Sequence, residues 1–175
     1  SDIWILELDA NGFPVDTLLI SGKGKQIGYS FVKNSLGGYV ITGITSRENS
    51  SVTDALMIKV DNLGIVDWMF QYGGVNPDFG YAVIYSDNGW VMAGKTYSFN
   101  NYGEEDAWLL KVSNLGELEW MQTYGGQNDD VAHDLALSFD NGFIICGSFY
   151  SNFNTDGWVI KTDSRGNNKG IISFR

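Results

Sequence analysis

Two similar stretches decide the fold of this chain: YGGVNPDFGYAVIYSDNGWVMAGKTYS at 72–98 and YGGQNDDVAHDLALSFDNGFIICGSFYS at 124–151. A weaker copy, ISGKGKQIGYSFVKNSLGGYVITGITS, occupies 20–46. A second string recurs between them, as DIWILELDANG, DALMIKVDNLG, DAWLLKVSNLG and DGWVIKTDSRG, with starts 52, 52 and 50 residues apart. Self-similarity at one period over nearly the whole chain predicts a repeat protein.

Each repeat contains four short runs that are rich in β-branched and aromatic residues, and Gly, Asn and Asp separate these runs. The runs show no helical period, so they indicate strands joined as hairpins. The tightest breaks are DNGW at 87–90 and DNGF at 140–143, where an Asn-Gly pair is expected to supply the positive φ of a hairpin turn. Four antiparallel strands in a repeat of about fifty residues predict a β-propeller blade, in an all-β fold.

The positions of the strand runs divide the chain into blades. We expect three full blades at 26–72, 78–124 and 130–174, preceded by an N-terminal half blade at 1–22 that holds strands three and four. Fourteen strands do not close a ring of four-stranded blades. We therefore interpret 1–175 as one partial propeller, and expect further blades of the same protein or another chain to close the ring.

The composition excludes two classes of partner. Lys and Arg number 11 against 21 for Asp and Glu, a formal net charge of -10, which disfavours nucleic acid and anionic membrane surfaces. The longest apolar runs are too short to cross a bilayer. The sequence therefore predicts no nucleic-acid partner and no membrane insertion.

The repeated residues also carry a resemblance to a known family. The repeat has the pattern YGG…D…A…GG(F/W)…G.T.S…DAW..K.D..G. The residues that match it are Tyr72, Gly73, Gly74, Asp78, Gly89, Gly94, Ser98, Asp106, Ala107, Lys111 and Gly116. The pattern resembles the SBBP-type β-propeller repeats of secreted and surface proteins of bacteria and archaea. The resemblance implies propeller architecture and an extracellular or cell-surface location, without a settled chemistry.

Residues that recur in every repeat are expected to be structural, so singular residues are the better functional candidates. His133 and Asp134 differ from the preceding repeat and follow Asp129 and Asp130. Strand alternation is expected to place Asp130 and Asp134 on one face. No cofactor is expected, but Asp129, Asp130 and Asp134 could bind calcium, or two of them could act as acid and base. The alternative is that they are solvated rim residues.

The long loops between blades and after the second strand of each blade are expected to open on one face. Asn, Asp and aromatic residues dominate these loops, and variable loops on a rigid scaffold often bind ligands. The first strand of each blade is expected to line the central channel of the propeller. The residues predicted to contact a ligand lie on the long loops and at the mouth of this channel: Phe99, Asn100, Tyr102, Phe153, His133 and Asp134. The alternative is that the aromatic side chains pack locally.

Three functions remain open at this stage. The first is a non-catalytic extracellular binding or scaffold domain that recognises a glycan or a surface protein. The second is part of a propeller enzyme, of the glycoside hydrolase or polysaccharide lyase type, that uses Asp130 and Asp134. The third is a purely structural spacer or surface-layer module. Neither G-x-S-x-G nor H-E-x-x-H occurs in the sequence, which disfavours the hydrolases that carry those motifs.

Overall fold

The computed structural model describes residues 1–22, 24–35, 37–46, 50, 52–99, 104–151 and 154–174, and within these residues all regular secondary structure is β-strand. Fourteen strands form four sheets, and every strand pair is antiparallel. The predicted all-β fold with fourteen β segments is therefore confirmed. Within the same residues there is no helix with the length and apolar character needed to cross a membrane.

The strands have the following bounds: β1 Ile3–Leu8, β2 Pro14–Ile20, β3 Gln26–Lys33, β4 Tyr39–Ser46, β5 Thr53–Val60, β6 Val66–Tyr72, β7 Asp78–Ser86, β8 Gly89–Thr96, β9 Asp106–Ser113, β10 Leu118–Tyr124, β11 Asp130–Leu137, β12 Phe143–Ser151, β13 Asn154–Thr162 and β14 Asn168–Phe174. The first sheet is the pair β1–β2. The second, third and fourth sheets contain β3–β6, β7–β10 and β11–β14, each in sequence order.

The sheets stack face to face in the order of the chain. β7 lies against β3, β4 and β5 of the second sheet, and β11 lies against β7, β8 and β9 of the third. The first sheet packs on the second through Ile3 and Ile20. Buried side chains such as Met57 and Trp108 fill the interface between the second and third sheets. The four sheets do not close into a ring.

The two end sheets leave one face uncovered. Trp108 and Trp158 are 1% and 5% exposed because each faces the preceding sheet, whereas Trp4, at the same position of its repeat, is 62% exposed. At the other end Val91 is 0% exposed beneath the fourth sheet, and its counterpart Ile144 is 40% exposed. The uncovered faces thus carry the residue types that the inner sheets bury.

A β-bulge recurs in the first strand of each four-stranded sheet. The register against the second strand shifts between Gly28 and Ser30, between Gly80 and Ala82, and between Ala132 and Asp134. One residue in each case is therefore extra: Tyr29, Tyr81 and His133. A bulge turns its extra residue out of the regular alternation of the strand.

The second strand accommodates each bulge with a glycine. A Cβ atom at Gly43, Gly94 or Gly147 would overlap a main-chain carbonyl oxygen of the neighbouring first strand. Only glycine allows the two backbones to approach so closely. The recurring glycine is therefore tied to the bulge.

The hairpin turn of the third sheet differs from the prediction, which expects positive φ at its Asn-Gly pair. In DNGW the residues with positive φ are Asp87 and Asn88, at 44° and 58°, and Gly89 is already paired with Ser86 in the sheet. Positive φ at both central residues is the geometry of a two-residue type I′ turn, which matches the twist of the strands. In the fourth sheet one extra residue lengthens the turn, and Asn141 alone takes a φ of 62°.

Candidate functional site

The three bulge residues form one continuous row across the second, third and fourth sheets. The ring centroids of Tyr29 and Tyr81 lie 5.4 Å apart with their planes at 64°, and those of Tyr81 and His133 lie 6.1 Å apart at 30°. The row forms because each bulge lies at the same height in its first strand and the first strands lie side by side. We call Tyr29, Tyr81 and His133 the bulge row.

A charged and aromatic cluster flanks the middle of the bulge row. Lys95, near the end of β8, forms an ion pair with Glu105, which precedes β9. The ammonium group of Lys95 also lies 5.0 Å from the ring centroid of Phe79 and 5.5 Å from that of Tyr97. The Phe79 ring stacks on Tyr81 at 6.0 Å, so the cluster and the bulge row are in contact.

The carboxylates of this cluster affect the neighbouring phenols. A hydrogen bond with Glu105, then burial and then the charges of Glu105 and Asp129 raise the pKa of Tyr97 above its ordinary value. Burial, with smaller contributions from Tyr29 and Glu105, raises the pKa of Tyr81 to about 12. Both hydroxyl groups are protonated at neutral pH, as an unperturbed phenol also is, and can donate hydrogen bonds.

His133 lies at the fourth-sheet end of the bulge row. Its side chain is exposed, and its Nε2 is 3.1 Å from the hydroxyl oxygen of Ser148. The tilted contact with Tyr81 joins it to the aromatic surface. The structure therefore brings this predicted ligand-binding residue together with Tyr29 and Tyr81.

Asp134 lies on the opposite face of the fourth sheet from Asp130. Asp130 pairs with Phe149 and Ala132 with Gly147, but Asp134 pairs with Cys146 because the bulge at 133 reverses the alternation. The expectation that Asp130 and Asp134 share a face is therefore wrong. A carboxylate oxygen of Asp134 instead accepts the hydrogen bond of the adjacent Leu135 amide at 2.8 Å.

Asp130 is buried at the junction of the third and fourth sheets, and its carboxylate accepts a hydrogen bond from the Gly126 amide at 2.9 Å. Burial is the main cause that raises the pKa of Asp130 to about 6, and the charges of Asp106, Asp129 and Glu105 add to it. Burial first, and the neighbouring carboxylates second, therefore favour the protonated form of Asp130.

The structure gives no geometry for the calcium site predicted at Asp129, Asp130 and Asp134. Across the part of the chain that the structure describes, no group of three or more His, Cys, Asp or Glu residues is arranged to hold a metal ion. Asp129 is exposed, and Asp134 is separated from Asp130 by the sheet. Calcium binding stays a prediction.

The predicted loop contacts are described only in part. Phe99 is half-buried, and its ring stacks on Trp108 with centroids 6.0 Å apart. It lines a crevice of about 310 Å³ between the outer strands of the second and third sheets. Asn100, Tyr102 and Phe153 lie outside the described residues. Their predicted contacts with a ligand stay predictions.

The central members of the site are not among the residues predicted from the sequence. Tyr29 and Tyr81 recur at one repeat position, and recurrence predicts a structural role. Lys95 and Glu105 are singular, because the residues at their positions in the other repeats are Ile44 and Ser148, and Thr53 and Thr155. A search for singular charged residues over all repeat positions would have found this ion pair.

No protein-family model matches the chain, and no curated protein matches it either. The geometry of the bulge row and its charged neighbours is consequently the basis of the function proposed below.

Proposed function

We propose that this chain is a set of β-propeller blades that acts as a non-catalytic extracellular binding domain, with a glycan as its ligand. The propeller is supported by four-stranded antiparallel sheets in sequence order, each with its first strand packed on the preceding sheet. The extracellular location rests on the resemblance of the repeat to secreted propeller proteins.

The uncovered faces of the end sheets support a larger ring. Trp4 and Ile144 are exposed at positions whose counterparts in the inner sheets are buried by a neighbouring sheet. Burying these apolar faces stabilises the fold in proportion to the area removed from water. We therefore propose that further blades, from the same protein or another chain, cover them.

The bulge row is the single observation that carries the binding function. Three adjacent rings, of which Tyr29 is 47% exposed and His133 is also exposed, form a surface with polar groups at its edges. The C–H face of a sugar packs on such rings, and its hydroxyl groups can bond to phenol, imidazole and carboxylate groups. A row that crosses three sheets suits a ligand that is itself a chain of rings.

The enzyme alternative lacks its pair of carboxylates. An acid and a base, or an acid and a nucleophile, must flank one bond of the substrate. Asp130 is buried and Asp134 lies on the other face of the sheet, so these two groups do not converge on one cleft. We therefore favour binding over catalysis.

The test is a glycan array followed by calorimetric titration with wild-type protein and Tyr81→Ala. Removing the central ring is expected to weaken binding by about tenfold or more, which corresponds to about 1.4 kcal/mol. Tyr85→Ala is the matched control, because Tyr85 is an exposed tyrosine at the other end of the same strand. It is expected to bind as the wild type does.

Two results would count against this function. If no glycan binds to the wild-type protein, a spacer or protein-binding role is the better explanation. If Tyr81→Ala and Tyr85→Ala both bind glycan as tightly as the wild type, the ligand lies on another surface, and the long-loop residues become the next candidates.

A further inference from the structure

Two carboxylates belong to or adjoin the charged and aromatic cluster that flanks the bulge row. Glu105 and Asp129 both act electrostatically on Tyr97, and Glu105 also acts on Tyr81. Lys95 is the cation in contact with this cluster, and its charge is already matched by Glu105. The whole chain carries a formal net charge of -10, which favours a cationic ligand over an anionic one.

The cluster already binds one ammonium group, that of the chain's own Lys95. The Lys95 ammonium lies over the rings of Phe79 and Tyr97 and pairs with the Glu105 carboxylate. Aromatic faces attract cations through their quadrupole, and a nearby carboxylate strengthens the attraction. These contacts show that the surface next to the bulge row has the chemistry needed to hold an alkylammonium group.

A second carboxylate beside the cluster has no described cation. Asp129 is exposed, and the structure shows no ion pair between it and any of the Lys, Arg or His residues that it describes. The amide of Asp130, the next residue, donates to the main-chain carbonyl of Glu105, so Asp129 adjoins the Glu105 segment. Its charge is available to a ligand.

We propose, on the basis of the glycan site above, that the bulge row selects sugars that carry a free ammonium group, with Asp129 as the residue that recognises that group. An amino sugar offers an apolar ring face to Tyr81 and a cation to Asp129 in one unit. Sugars that carry carboxylates are repelled by the same charges. The ligand class is therefore a polymer or oligomer of unacetylated hexosamine.

The experiment compares three oligosaccharides of equal length by calorimetric titration, at a pH where the amine is protonated. They are oligomers of glucosamine, of N-acetylglucosamine and of galacturonate. We expect glucosamine to bind about tenfold more tightly than N-acetylglucosamine and galacturonate to bind most weakly. Raising the salt concentration should reduce the preference, because ion pairs at exposed sites are screened.

The variant that tests the assignment is Asp129→Asn. It should bring the affinities for glucosamine and N-acetylglucosamine to within about threefold of each other, and leave the N-acetylglucosamine affinity unchanged. Glu117→Gln is the matched control, since it removes one carboxylate charge from an exposed residue outside the site. It should keep the preference for glucosamine.

A second measurement tests the ammonium chemistry without a glycan. Lys95→Met removes the internal ammonium and leaves Glu105 buried without this partner. The melting temperature of Lys95→Met should therefore fall, and millimolar methylammonium should raise it again, while the wild type should show no such response. Sodium chloride at the same ionic strength controls for screening.

The outcomes separate this selectivity from the glycan function itself. Equal binding of all three oligosaccharides, or a preference that survives Asp129→Asn, overturns the selection of ammonium sugars while the glycan site stands. Absence of binding by every oligosaccharide overturns both. Identical responses of Lys95→Met and wild type to methylammonium contradict an ammonium position beside the bulge row.

Discussion

Trp108 and Trp4 hold the same position in their repeats, yet Trp108 is 1% exposed and Trp4 is 62% exposed. The third sheet lies between two other sheets, whereas the first sheet has a neighbour on one face only. The indole nitrogen of Trp108 donates to the carbonyl of Phe79 in the first strand of its own sheet, at 2.9 Å. The first sheet contains only two strands, so Trp4 lacks the counterpart of that acceptor. A repeat residue thus takes its energetic role from the sheets around it.

The largest expected effect follows directly from these two tryptophans. Trp108→Ala should lower the free energy of unfolding by about 3–5 kcal/mol, because it leaves a cavity between two packed sheets. Trp4→Ala should change it by about 0.5 kcal/mol or less, since the side chain is already in water. Urea denaturation of both variants measures the difference. Equal losses would indicate that the first sheet is covered in solution.

A second comparison contrasts two aspartates at one repeat position. The carboxylate of Asp78 accepts hydrogen bonds from the hydroxyl groups of Thr96 and Ser98 and from the Gly74 amide. In the fourth sheet the counterpart of Thr96 is Phe149, which has no hydroxyl group to offer Asp130. The aspartate at this repeat position therefore has several hydrogen-bond donors between the second and third sheets, and fewer between the third and fourth sheets.

Stability should depend on pH through Asp130. Its pKa in the folded chain is about 6 against 3.8 for an unperturbed aspartate, so the folded chain binds the proton more tightly. This contribution is complete below about pH 4 and is lost as the pH rises through about 6. Asp130→Asn should therefore raise the free energy of unfolding at pH 7 by about 1 kcal/mol.

The matched variant at the other interface should act in the opposite direction. Asp78→Asn replaces a charged acceptor that three donors contact, so it should lower the free energy of unfolding by about 1–2 kcal/mol. Urea denaturation between pH 4 and pH 7 covers both variants. Changes of the same sign in the two variants would show that the two interfaces do not differ as described.

Much of the fold could be predicted because the repeats fix the number and order of the strands. The alternation of strand runs and turn residues is visible in any one repeat, as in 72–98, and three copies reinforce each other. The turns were harder to predict, because Asp87 and Asn88 take positive φ where Asn88 and Gly89 were expected. The type of a turn depends on strand register, which a local pattern does not specify.

The site was less predictable than the fold. Strand alternation placed Asp130 and Asp134 on one face, but the bulge at His133 reversed the second half of the strand. A bulge leaves no distinct sequence mark here beyond the paired glycine, Gly147. The bulge row depends on contacts between sheets that are about fifty residues apart in the chain, and one repeat contains no sign of them. Stacking therefore brings together residues whose recurrence predicts only a structural role.

The alignment of the three bulges can be measured directly by nuclear Overhauser effects among the rings of the bulge row. The account predicts cross-peaks from the ring protons of Tyr81 to those of both Tyr29 and His133, whose centroids lie 5.4 and 6.1 Å away. Phe79, which stacks on Tyr81 within the same sheet, provides the internal reference. A spectrum with the Phe79 contact but without both contacts between sheets would contradict the stacking on which the proposed binding site depends.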